Sequence, residues 1–260
     1  LEYEYLPQHY QFPQKLYLNK STEYAVGHAS HLIAVSQWTK KELVNKLKAD
    51  PKKITVIYEG TSKGVTPRRR PHSLRGYPLQ GENAHVPYIL FVGTIQPRKN
   101  LVRLIKAFSA LTRCNLVIAG KPGWMNREIY EAPKRFGVEK RVKFLGYVSD
   151  KKLASLYQEA LFFVLPSLCE GFGLPVLEAM RFGCPVIAAK AGALPEIVGK
   201  AGLLVNPHKT EELVGAMKLM LENEELRQAL REKGYRQFRK FSWEKAAKET
   251  IKVFEKVYES

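Results

Sequence analysis

The sequence predicts an α/β protein with a doubly wound, Rossmann-like parallel sheet. Three observations lead there. Short apolar runs of four or five residues recur along the chain, amphipathic stretches separate them, and glycine or proline marks most junctions. A run that is apolar throughout reads as a strand covered on both faces. A helix between two such strands makes a βαβ unit, and right-handed crossovers then wind helices onto both sides of one sheet. Ligands of such sheets bind beyond the carboxyl ends of the strands, so the residues just after each strand carry the function.

The first unit reads as a buried strand over His31–Val35, an amphipathic helix over Gln37–Lys48 and a second strand over Ile54–Tyr58. Thr61–Pro87 then has four prolines, the run Arg68-Arg69-Arg70 and no apolar period, which marks a linker or surface loop. Beyond it the alternation is regular. Strands are expected at Tyr88–Val92, Asn115–Ala119, Val142–Leu145, Leu161–Leu165, Pro185–Ala188 and Gly202–Val205. Helices are expected at Asn100–Leu111, Asn126–Phe136, Lys151–Glu159 and Pro175–Phe182, then at Lys209–Leu221, Glu224–Arg239 and Trp243–Tyr258.

Composition narrows the class. The chain has 260 residues, of which 45% are hydrophobic and 26% charged, which excludes a disordered or collagen-like polymer. Apolar runs such as Leu161–Leu165 are far too short to span a bilayer. No basic-then-apolar leader is visible, and the first residue is Leu1 rather than Met, so the natural start is expected to lie upstream. Cys114, Cys169 and Cys184 are odd in number and form no C-x-x-C pair. They read as three small buried thiols in a reducing compartment, not as a disulfide scaffold or zinc site.

The formal net charge is +17, and it is uneven. Residues 1–60 carry +2, residues 61–87 +4, residues 88–165 +9 and residues 166–260 +2. Such a basic middle implies an anionic partner: nucleic acid, anionic lipid or a phosphorylated ligand.

The strand ends are more specific. After Tyr88–Val92 comes Gly93-Thr94-Ile95-Gln96-Pro97-Arg98-Lys99-Asn100. A glycine turn leading to a helix start offers free N–H groups to a phosphate, with Arg98 as a fork of donors and Lys99 as a point charge. Gly120-Lys121-Pro122-Gly123 and Gly146-Tyr147 follow the next two strands, and their glycines suit either a plain turn or a close-lying ligand. After Leu161–Leu165 comes Pro166-Ser167-Leu168-Cys169-Glu170-Gly171-Phe172-Gly173-Leu174-Pro175-Val176-Leu177-Glu178. Gly171 and Gly173 free backbone N–H groups just before a helix, and Pro175 suits its first turn. Glu170 and Glu178 would face the same opening and accept hydrogen bonds from sugar hydroxyls. Acidic side chains near a helix start are also ordinary partners of the helix dipole.

The segment E-G-F-G-L-P-V-L-E, with seven residues between Glu170 and Glu178, resembles the paired-glutamate motif of the retaining GT4 (group 1) glycosyltransferases. Other stretches match that family in order: V-S-Q-W-T-K-K-E-L at Val35–Leu43, I-T-V-I-Y-E-G at Ile54–Gly60, F-V-G-T-I-Q-P-R-K-N at Phe91–Asn100, A-G-A-L-P-E-I-V at Ala191–Val198 and F-S-W-E-K-A-A at Phe241–Ala247. The resemblance covers the chain from about residue 31.

It implies the GT-B architecture, with residues 1–60 a remnant of the N-terminal acceptor-side domain and 61–87 a basic linker. Residues 88–240 would form the donor-binding domain, and 241–260 a helix returning to the N-terminal part. It implies that Glu178 binds the ribose of a nucleotide-sugar donor (UDP-, GDP- or ADP-linked) and that Glu170 contacts the transferred sugar. Gly171, Phe172, Gly173 and Leu174 would line the sugar and phosphates, Lys99 would hold the diphosphate, Gly93 and Thr94 would belong to the donor site, and the base would lie near Gly120, Lys121, Leu145, Gly146 and Tyr147. Many members carry Arg where this chain has Thr94, and Arg98 would supply that guanidinium. Glu170, Lys99 and Arg98 are the expected catalytic group, with no metal and no cofactor, and no Asp-x-Asp motif occurs.

The implied acceptor is a sugar, polysaccharide or lipid-linked hydroxyl. The implied location is cytoplasmic, at the inner face of a membrane, with no nucleic-acid partner. In the family a His-Asp pair lies upstream, and L-E-Y-E-Y-L-P at Leu1–Pro7 would follow it directly. His9, His28 and His31 read as structural. Alternatives are an epimerase or phosphorylase on the same fold, though no lysine stands out for pyridoxal phosphate, or a basic module binding nucleic acid or a membrane surface.

Overall fold

The computed structural model describes residues 12–61 and 86–259. The Leu1–Pro7 stretch, His9 and the Arg68-Arg69-Arg70 run lie outside them. The described residues form two parallel sheets, one of two strands and one of six.

The small unit opens with α1 (Phe12–His28), then β1 (Leu32–Ala34), α2 (Gln37–Leu47) and β2 (Ile54–Val56). β1 and β2 pair in parallel with Leu32 opposite Ile54. α2 starts at Ser36, whose Oγ accepts from Thr39 N, and ends at Lys48 in the left-handed conformation with φ 55°. That cap is why the helix stops one residue before the sequence pattern does. The 17 residues of α1 carry no one-sided apolar stripe, so no periodicity announces that helix.

The large sheet runs β5 (Val142–Gly146), β4 (Asn115–Ala119), β3 (Tyr88–Val92), β6 (Phe162–Leu165), β7 (Val186–Ala189) and β8 (Gly202–Val205), all parallel. Strands β4 and β6 are buried along their whole length, and β3 along all but its last residue. This follows from burying both faces of a parallel sheet. Helices α3 (Leu101–Ser109), α4 (Arg127–Arg135), α5 (Asp150–Glu159), α6 (Leu174–Arg181), α7 (Leu194–Val198), α8 (Thr210–Glu222) and α9 (Glu224–Phe238) cover it. α3 turns Leu101, Leu104, Ile105 and Phe108 into the core at helical spacing. α7 is five residues long, too short for a period to announce it.

β3 and β6 are adjacent, although two strands and three helices separate them in sequence. The winding direction reverses between them, so the crevice beyond their carboxyl ends is the topological switch point. The last helix, α10 (Trp243–Tyr258), returns to the small unit, where Ala246 and Val253 pack on Ile57.

One expectation is corrected. The phosphate-loop reading places a helix start at Asn100. Instead Pro97–Lys99 forms a 3-10 turn, Asn100 is left-handed at φ 59°, and α3 begins at Leu101. Arg98 and Lys99 therefore sit in a tight turn ahead of the helix. Asn100 Nδ2 explains that geometry, because it donates to Pro166 O at 3.0 Å and Pro207 O at 2.8 Å, tying three strand-end loops together.

Candidate functional site

The loops after β3, β4 and β5 form one layer of main chain. Gly93 N donates to Ala119 O at 3.0 Å, Ile95 N to Lys121 O at 2.9 Å, and Gly120 N to Gly146 O at 2.8 Å. A side chain on Gly120 would collide with the carbonyl of Gly93. Only glycine permits this approach. At the rim Lys121 Nζ stands 5.0 Å from the centre of the Tyr147 ring, which is 70% exposed. Leu145 is half-buried against the core and Thr94 is exposed.

On the other side of the switch point the loop after β6 is strapped to the turn after β3. Leu168 N donates to Arg98 O at 2.9 Å, and Arg98 NH1 donates to Cys169 O at 2.6 Å. Between the two loops Glu170 pairs with both cations: Lys99 Nζ at 2.6 Å on Oε1 and Arg98 NH1 at 2.8 Å on Oε2. Lys99 and Glu170 are each 7% exposed. Burial pushes the Glu170 carboxyl up, but Lys99 and then Arg98 more than offset it and hold it below the usual range. The Glu170 carboxylate thus engages both Lys99 and Arg98 in a poorly solvated, cation-rich place, a setting that suits an anionic ligand.

Gly171, the next residue, has open space where a side chain would stand, and Gly173 caps the start of α6 at φ 117°. Pro175 lies in the first turn of α6, as its missing N–H allows. The Phe172 ring is buried, 6.2 Å from Tyr58 and 6.0 Å from Phe241. Leu174 is half-buried against the core.

Glu178 lies one turn further along α6, where the Tyr157 hydroxyl donates to its Oε2 at 3.0 Å. Burial raises its carboxyl, and the Tyr157 hydrogen bond and the Arg181 charge pull it partly back, against a push from Asp150. Tyr157 is wholly buried, stacked on Phe182 at 5.8 Å and edge-on to Phe163. Sequence reading missed it, because a tyrosine on the apolar face of a helix looks like core.

The structure therefore brings Arg98, Lys99 and Glu170 into one cluster and links Gly93, Gly120, Lys121 and Gly146 in a second. Glu178 stands in neither, and Tyr157 holds it. Arg98 and Lys99 are not free phosphate ligands here, since Glu170 already engages both. His28 bonds Tyr24 O at 2.9 Å, and His31 bonds Thr55 Oγ1 at 2.8 Å. Cys114 and Cys184 are buried, which lifts their thiols, that of Cys114 to about 11.

The family model described as "Glycosyl transferases group 1" matches residues 80–237. The chain belongs to this family of GT4 glycosyltransferases, whose fold is GT-B. It is 30% identical over 256 residues to "O-antigen chain mannosyltransferase B" of Escherichia coli, covering 95% of this chain and 66% of that protein. It is 32% identical over 252 residues to a "D-inositol 3-phosphate glycosyltransferase" of Nocardioides, covering 89% of this chain and 55% of that one. The chain thus spans less than two thirds of either relative. Among solved structures it superposes on Anabaena HepE, crystallised with UDP and glucose, with a TM-score of 0.80 at 22% identity, over 96% of this chain and 69% of that one. Sucrose-phosphate synthase of Thermosynechococcus elongatus gives 0.79 at 24% identity, over 95% and 62%. At those identities the likeness concerns the fold.

Proposed function

We propose that this chain is the donor-binding part of a retaining, metal-independent glycosyltransferase that moves a sugar from a nucleoside diphosphate to an acceptor hydroxyl. The observation that carries this reading is the buried group Arg98–Glu170–Lys99 at the switch point, two cations gathered on one carboxylate. Residues 88–240 are the donor domain. Residues 1–60 and 241–260 belong to the acceptor-side domain, whose remainder lies outside this chain.

In this reading the diphosphate enters beside Lys99 and Arg98, with Gly93 and Thr94 at the start of that loop. As the bond from the anomeric carbon to the β-phosphate oxygen breaks, charge grows on that oxygen. The two cations and the N–H groups of Gly171–Gly173 stabilise it where water is largely excluded. The acceptor hydroxyl attacks from the leaving-group face and gives its proton to the departing phosphate. Glu170, freed from part of its ion pairing, orients the sugar, and Glu178 takes the ribose hydroxyls. The base rests on the main-chain layer of Gly120, Gly146 and Leu145, beside Lys121 and Tyr147.

The Escherichia coli relative is named for an O-antigen chain and mannose. A polysaccharide or lipid-linked acceptor at an anionic membrane face therefore suits this chain too, and its basic excess suits that setting. The deciding experiment is a thermal-shift panel of UDP-, GDP- and ADP-sugars against wild type and Glu178→Ala. A ligand at a hundred times its dissociation constant adds about 2.7 kcal/mol of stability. The expected result is stabilisation by one class of donor, lost in the variant. No shift with any of them would sink the reading.

A further inference from the structure

Two motifs, V-S at Val35-Ser36 and A-G-A-L-P-E at Ala191–Glu196, have no role in the reaction described above, yet they meet at Gly171, the residue after Glu170. From the small unit, Ser36 Oγ donates to Gly171 O at 2.8 Å, and Thr39 Oγ1 lies 3.3 Å from the same oxygen. From the other side, Gly192 is left-handed at φ 58°, and a side chain on it would collide with the backbone of Glu170. Ala193 N donates to Glu170 O at 2.9 Å. Glu196 then reaches across to the start of α2. It accepts from Trp38 N at 2.9 Å, Gln37 N at 3.1 Å and the Tyr58 hydroxyl at 3.1 Å.

We propose that Glu196 is a positioning residue that clamps the small unit onto the donor loop, so that the backbone of Glu170 and Gly171 is held from both sides only when the two units are docked. This goes beyond the donor-binding reading but uses it for one readout. The chemistry is specific. A carboxylate at the first N–H groups of a helix meets free donors and the positive end of the helix dipole. Its three donors all come from the small unit, and no covalent link lies near them: Glu196 and Tyr58 are 138 residues apart. The same helix start that Glu196 holds presents Ser36 to Gly171, so moving the small unit away removes the donors from the Gly171 carbonyl. Docking of the units and the shape of the donor loop are thus one event.

The test uses the whole 260-residue chain in wild-type, Glu196→Gln, Ser36→Ala and double-variant forms. Amide hydrogen exchange at Gly171, Phe172 and Gly173 is compared with that of β3 and β6, and UDP and GDP affinities are measured by titration calorimetry. Each single variant is expected to speed exchange at those three amides about tenfold while leaving the strands protected. Each is also expected to weaken binding of whichever nucleotide the wild type takes by about fivefold. The double variant should be no worse than either single one, since both break one unit. Loop amides protected as in wild type, or additive losses of affinity, would overturn the proposal. Ser36→Ala carries the test if Glu196→Gln does not fold. If wild type binds neither nucleotide, the donor reading fails, while exchange at the loop still judges the clamp.

Discussion

Lys99 and Glu170, 71 residues apart in sequence, meet at 2.6 Å across the switch point of the large sheet. The cation proposed for the diphosphate and the carboxylate proposed for the sugar are already each other's partners, so on that proposal a ligand competes for both. Replacing Glu170 by Gln leaves Lys99 and Arg98 buried without the carboxylate that both engage. The expected loss is about 3–5 kcal/mol of stability in urea denaturation. The same variant should gain more stability from a nucleoside diphosphate than wild type does, because the ligand then replaces the charge that Glu170 supplied. An equal or smaller gain would show that the phosphates do not reach these cations.

Tyr157→Phe removes one hydroxyl from a packed ring and leaves the packing. Because burial raises Glu178 and the Tyr157 hydrogen bond lowers it, the variant should raise it further. Arg181 on the same helix and Asp150 at the start of α5 stay in place and act oppositely on it. If Glu178 takes the ribose as proposed, binding needs its ionised carboxylate, and nucleotide affinity should fall at a higher pH in the variant than in wild type. The effect on stability has the other sign. A carboxyl raised in the folded state contributes stability at low pH that is lost as pH rises through its folded value. Affinity and Tm measured across pH 4–8 should therefore move in opposite directions on acidification over that group's range.

Gly120→Ala and Gly137→Ala separate collision from backbone strain. Both glycines have positive φ, +154° and +66°, but only Gly120 would meet another backbone. Gly137→Ala should cost about 1–2 kcal/mol, the ordinary penalty of a left-handed residue. Gly120→Ala should cost more and should also abolish nucleotide binding. Equal costs by denaturant titration would mean the loops separate freely.

The basic excess predicts adhesion to anionic surfaces. In co-sedimentation the chain should bind vesicles containing about a third anionic lipid and ignore neutral ones. Roughly 0.5 M salt should release it, since screening then acts over a few ångströms. Retention at high salt would point to apolar insertion instead.

The large sheet was legible because its strands are mostly apolar runs bounded by glycine, proline or polar residues. β3, β4 and β8 begin and end where the pattern does. α1 and α7 were not legible, the first for want of a stripe and the second for want of length. At the site, the spacing of Glu170 and Glu178 was visible, and so was the placing of Arg98, Lys99 and Glu170 just beyond neighbouring strand ends. What each carboxylate touches was not. Glu170 finds Arg98 and Lys99, and Glu178 finds Tyr157, through packing that no local pattern records. The Ser36–Gly171 bond, spanning 135 residues, depends on how two units dock.

The contact between Gly93 and Gly120 has a bearing on redesign. If a nucleotide lies as proposed, the distance from its phosphates to its base is set here by two abutting peptide units, a ruler with no adjustable side chain. Altering which base the protein accepts would then have to be done at the outer edge, at Lys121 or Tyr147. Changes to the ruler itself would shift both ends of the ligand at once.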